Sequence, residues 1–142
     1  MLHAKQLEGL SAELTGDLHL ARTAAVLRNE SVRLTIGQLA DGKSCYAVHT
    51  GPSLVCDCGR APEAICAEGG DLIKASQIDH EHIRLRSESA SVMWHPIRGT
   101  ITPTATYRLT MPDGRGVNHV VNLMGRVRVC SSGVAVSTYP AC

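Results

Sequence analysis

Two arginines two residues apart, Arg126 and Arg128, are the side chains whose type and spacing point most directly to chemistry. In extended backbone, residues i and i+2 share a face and stand about 6.6 Å apart. The run Gly125-Arg126-Val127-Arg128 then offers two guanidinium forks on one side and turns Val127 and Val129 to the other. Such forks match the geometry of phosphate oxygens, and Gly125 lets the backbone turn or approach closely just before them. Arg115, Arg98 and Arg108 add charge that could extend the pair into a track along one strand of phosphates. The bland use of the same pair is to keep an exposed edge strand from joining another chain.

Covalent chemistry has less to stand on. The sequence contains no Gly-x-Ser-x-Gly elbow, no phosphate-cradling glycine loop and no His-Glu-x-x-His helix. No nucleophile and base can be named, so neither an enzymatic activity nor a cofactor is expected. His80-Glu81-His82 places two imidazoles on one face of a strand, which suits a metal, although a solvated strand edge is the ordinary reading.

Six cysteines, an even and high number for 142 residues, favour disulfides and an oxidising compartment. Cys56, Cys58 and Cys66 with Cys45 or His80 could hold zinc, but the single residue between Cys56 and Cys58 is too short for a zinc knuckle. Cys56 and Cys58 are also poor partners for each other. Each is therefore expected to pair with Cys45 or Cys66, in an order the spacing leaves open. Cys130 and Cys142 are expected to bridge, closing the loop Ser131 to Ala141 and fastening the chain directly after Arg126 and Arg128.

The elements that must position these residues follow from composition and period. Phe is absent, and one Trp and three Tyr complete the aromatics, so the core must come from Leu, Val, Ile, Met and Ala and there is little for bases to stack on. Residues 1–92 hold nine Lys or Arg against twelve Asp or Glu, whereas residues 93–142 hold five Arg against Asp113 alone, so the second half is a basic surface. No signal peptide and no apolar run of membrane-spanning length is present. With the oxidising compartment, this predicts a natural N-terminal segment that the sequence does not include.

Leu7, Leu10, Leu14, Leu18, Ala21 and Ala25 recur at steps of three and four, which predicts an amphipathic helix from about residue 3 to Arg28, stopped at Asn29. Val32, Leu34 and Ile36 then alternate with polar residues as in a half-buried strand. Asp41-Gly42 predicts a turn, Tyr46 to Val48 a short strand, and residues 50–75 an irregular disulfide-pinned loop. A strand at His82 to Arg86 is expected to pair with Val92 to Trp94. Tyr107, Leu109 and Met111 lead through Pro112-Asp113-Gly114-Arg115-Gly116, a hairpin turn, to a return strand carrying Val117, His119, Val121 and Leu123. The sum is an α+β domain, with a helix in residues 1–30 and an antiparallel sheet domain in 31–142.

The order of Leu10 to Val32, Ser44-Cys45-Tyr46, Trp94-His95-Pro96-Ile97-Arg98-Gly99-Thr100 and Gly125-Arg126-Val127-Arg128-Val129-Cys130 resembles the soluble part of a GspH/FimT-type pseudopilin, a minor subunit of type IV pili and type II secretion pseudopili. The resemblance implies a type IV pilin-like ectodomain whose N-terminal helix continues upstream as an inner-membrane anchor. It also implies other major and minor pilins as partners, and a location in the inner membrane, periplasm and surface fibre. In FimT-like members the Gly-Arg-x-Arg ending is associated with binding DNA during natural transformation. Carried over, this nominates Gly125, Arg126 and Arg128, while Arg115, Arg98 and Arg108 join on charge and position only. The alternative is a structural subunit that primes fibre assembly without DNA. The prepilin cleavage motif and its apolar helix are absent here, and the cysteine-rich stretch from Gly51 to Gly70 has no counterpart in the family pattern.

Overall fold

A computed structural model describes residues 2–59, 65–78, 82–134, 136 and 138–142. Helix α1 spans Leu2–Arg28 and ends where Asn29 takes φ 53°, with the Glu30 amide donating back to the Ala25 carbonyl at 3.3 Å. This is the left-handed stop that Asn tolerates. Leu7, Leu14, Leu18, Ala21 and Ala25 are fully buried along one stripe and Leu10 partly so. Each such Leu contributes about 2 kcal/mol by leaving water.

Among the described residues eleven strands follow: β1 Val32–Gln38, β2 Ser44–Thr50, β3 Cys56–Asp57, β4 Ile65–Cys66, β5 Leu72–Gln77, β6 Arg84–Arg86, β7 Ser91–Trp94, β8 Ile101–Thr102, β9 Ala105–Thr110, β10 Arg115–Val121 and β11 Val127–Gly133. They form a five-stranded sheet in the order β5-β2-β1-β7-β8, a four-stranded sheet β11-β10-β9-β6 and the small pair β3-β4. The paired strands run antiparallel, so the architecture is a helix on antiparallel sheets, an α+β fold. Trp94 and Tyr107, both fully buried, supply the bulk that Phe would otherwise give the core.

Polar side chains also lie buried along the helix. Asp17 accepts from the Tyr46 hydroxyl at 2.5 Å and from Lys74 Nζ at 2.7 Å, which ties α1 to β2 and β5. Ser11 meets Nε2 of the buried His119 on β10 at 3.0 Å, which ties it to the other sheet.

Three expectations need correction. Residues 50–75 are not one irregular loop, because residues 72–75 open β5, an edge strand of the first sheet. Strand β6 does not pair with β7. It joins β9, while β7 lies between β1 and β8, so residues 87–90 cross from one sheet to the other. Leu123 is not in the return strand, which ends at Val121 and leaves Leu123 exposed in the turn.

The disulfides are Cys45–Cys58, Cys56–Cys66 and Cys130–Cys142. The first lies on the face of β2 opposite the helix, with Cys45, Ala47 and Cys58 forming a small second core. That is why all seven residues of β2 are buried and none of its alternation shows in the sequence. All four sulfurs considered as zinc ligands are taken up in these bonds. The His80-Glu81 part of the other metal reading lies outside the described residues.

Candidate functional site

The turn from β10 to β11 is built by Asn122. Its amide donates to the Arg126 carbonyl at 3.0 Å, its carbonyl accepts from Gly125 at 2.8 Å, and its side-chain oxygen accepts from the Arg126 amide at 3.1 Å. Gly125 takes φ 81°. A second turn, residues 96–99, closes with the Gly99 amide donating to the His95 carbonyl at 2.9 Å and Gly99 at φ 66°. The two turns touch. The Ile101 amide donates to the Leu123 carbonyl at 3.1 Å, and a Cβ on Gly125 would lie 2.5 Å from the Gly99 oxygen.

Arg22 of α1 lies against both turns. Its Nε donates to the Gly99 carbonyl at 3.3 Å, and its Cδ passes 3.1 Å from where a Gly125 Cβ would be. The helix, the Arg98 turn and the Arg126 turn thus meet at one place. Arg22 lies within Leu10 to Val32, a stretch that carries the family resemblance, but nothing in the sequence marks it as a site residue. Its only local signal is its place beside Ala21 at the border of the buried stripe.

Arg126 and Arg128 are both exposed, while Val127 and Val129 are half-buried against the core, as the alternation predicts. Val120, Asn122, Arg126, Val127 and Arg128 line an open groove of about 490 Å³. Its apolar floor and guanidinium rim carry no carboxylate. Beyond Arg128 the strand edge is covered by the chain end. The Ser131 amide donates to the Pro140 carbonyl at 2.7 Å and the Cys142 amide to the Ser131 carbonyl at 2.9 Å, beside the Cys130–Cys142 bridge.

The remaining arginines named from charge separate by register and pairing. Arg115 lies opposite Gly133, whereas Val120 lies opposite Arg128. Arg115 therefore sits at the far end of the ladder from Val121, about 20 Å away, where its guanidinium meets Asp113 at 2.7 Å. The structure does not bring it to the Arg126–Arg128 pair. Arg108 is on β9 opposite Asn118 and pairs with Glu88, whose carboxyl its hydrogen bond holds below the usual range. Arg98 is exposed beside Gly99. Among the described residues, Arg98, Arg126 and Arg128 have no acidic partner, and Arg22 uses only its Nε. Among the described residues four guanidiniums are thus open where the two turns and α1 meet, and the sequence contains no Asp or Glu after Asp113.

Among the described residues no helix is long and apolar enough to cross a membrane. No curated protein matches the sequence. Two crystal forms of the type IV minor pilin FimU of Pseudomonas aeruginosa share the fold. One aligns over 96% of this chain and 93% of its own, at TM-score 0.62 and 17% identity. The other aligns over 94% and 97%, at TM-score 0.59 and 18% identity. The family described as type II transport protein GspH matches residues 10–134, nearly the whole chain. A helix laid on antiparallel sheets, the FimU-like architecture and that match together place the chain in the GspH family, as a GspH/FimT-type minor pilin or pseudopilin.

Proposed function

We propose that this minor pilin binds extracellular double-stranded DNA without sequence preference, through Arg126 and Arg128 with Arg98 and Arg22, and so promotes DNA uptake in natural transformation. The observation that carries this reading is the open groove beside Arg126 and Arg128, lined by no carboxylate and rimmed by guanidiniums that have no acidic partner among the described residues. Phosphate contacts of this kind position a duplex without reading its bases, and the shortage of exposed aromatics argues against stacking. Gel retardation at graded salt tests it. Four neutralised phosphates give log K against log salt a slope of about −3.6 or steeper. Absence of retardation, or retardation indifferent to salt, overturns the reading.

Members of this family associate with other pilins. A second reading, a structural subunit that primes a type IV pilus or a type II secretion pseudopilus, draws support from exposed apolar side chains. Ile97, Leu123 and Met124 lie on the two touching turns and Val26 and Leu27 at the end of α1. Such residues rimmed by polar ones suit a protein neighbour. Under either reading, a membrane helix upstream of Leu2 would hold the subunit at the inner membrane before assembly into the surface fibre. Co-purification with other minor pilins in the absence of any DNA retardation would favour this second reading.

A further inference from the structure

The solvent face of the four-stranded sheet continues the basic surface in a direction that charge alone did not suggest. Arg86 lies opposite Arg108, Arg108 opposite Asn118, and Arg128 opposite Val120, which in turn faces Thr106. Directly opposed residues of antiparallel strands project to the same side, so these six share one face. The intervening residues Leu85, Tyr107 and Val117 are buried on the other. None of β6, β9, β10 or β11 contains Asp or Glu.

Three strand spacings and a two-residue offset separate Arg128 from Arg86, about 16 Å in all. That is about five base pairs of duplex at 3.4 Å per phosphate along one strand. Thr106 and Asn118 lie between and offer neutral hydrogen-bond donors. Arg86 is exposed and has no partner among the described residues, whereas Arg108 is occupied by the exposed carboxylate of Glu88. The acid opposing this path thus comes from the loop after β6 and not from the sheet.

We propose that the DNA path runs from Arg126 and Arg128 across this face to Arg86, and that Glu88 restrains it by occupying Arg108. The proposal rests on the DNA reading above and names the surface that serves it. Equilibrium binding to a duplex of random sequence at graded salt tests it, using wild type, Arg86→Ala, Glu88→Gln and the double substitution Arg126→Ala with Arg128→Ala. The substituted side chains are exposed, so the fold is expected to persist.

Arg86→Ala is expected to make the salt slope shallower by about 0.9, so that raising salt from 50 to 200 mM costs about 3.5-fold less in affinity than in wild type. Glu88→Gln is expected to bind more tightly than wild type and with a steeper slope, because Arg108 becomes available to phosphate. Either variant binding with the wild-type slope and affinity overturns the path. If the double variant alone loses binding, DNA binds only at the groove. If the double variant binds like wild type, the DNA reading fails and the path fails with it.

Discussion

A Cβ on Gly125 would come to 2.5 Å from the carbonyl oxygen of Gly99. The turns carrying Arg98 and Arg126 close against each other only because this position has no side chain, and Gly125 is further held at φ 81°, where a side chain is strained. The glycine of the Gly-Arg-x-Arg run is thus a packing requirement of the fold, whatever its arginines bind.

Gly125→Ala is accordingly expected to cost about 1–3 kcal/mol of stability through strain and displacement of the turn. Gly9→Ala is expected to do the opposite. Gly9 is exposed on α1 with nothing within 4 Å of an added Cβ, so alanine should stabilise by about 1 kcal/mol. Urea midpoints that move in opposite directions for the two variants support this account, and a neutral Gly125→Ala contradicts it.

Stability should also depend on pH through two buried histidines. Burial lowers the pKa of His119, which lies between α1 and the second sheet, and of His49, which bonds Thr35 within the first. The unfolded chain takes up protons near the ordinary value of 6.5, while the folded chain does so only at lower pH. Stability is therefore full above about pH 6.5 and falls as pH drops through the lowered folded values. Urea midpoints measured from about pH 7.5 down to about pH 5 should decline, and His119→Gln should flatten part of that decline relative to wild type. A profile with the wild-type slope in His119→Gln would assign the effect elsewhere.

The C-terminal bridge is expected to act on both stability and the arginines. Cys130 and Cys142 are separated by 12 residues, and replacing both by Ser should cost about 3 kcal/mol on the chain-entropy estimate. Because residues 140–142 pair with Ser131, the loss should appear as faster amide exchange at Ser131 and Cys142 than in the helix. Uniform acceleration across the chain would mean that the bridge supports the whole fold and not the strand that carries Arg128.

What the sequence made legible was local. The α1 stripe, the Asn29 stop, the Pro112 to Gly116 turn and the alternation around Arg126 and Arg128 all depend on residues within a turn or two of one another. What it hid depended on neighbours. β2 is buried on both faces, by the helix and by the Cys45–Cys58 loop, so its seven residues show no period. Proximity suggested a β6–β7 hairpin, but Leu85 lies opposite Leu109 in the four-stranded sheet and Trp94 opposite Val32 in the five-stranded one, and the two sheets share one core. Charge groups Arg115 with Arg126 and Arg128, but the register puts it at the far end of their ladder. Arg22 enters the candidate site from just over a hundred residues upstream of Gly125, and no spacing rule connects them.

The central claim is tested most directly by the salt dependence of duplex binding in wild type against the double substitution Arg126→Ala with Arg128→Ala. Two lost phosphate contacts should make the slope shallower by about 1.8, with weaker binding to every sequence alike. A double variant that keeps the wild-type affinity and slope would contradict the claim and leave the chain a structural subunit of its fibre.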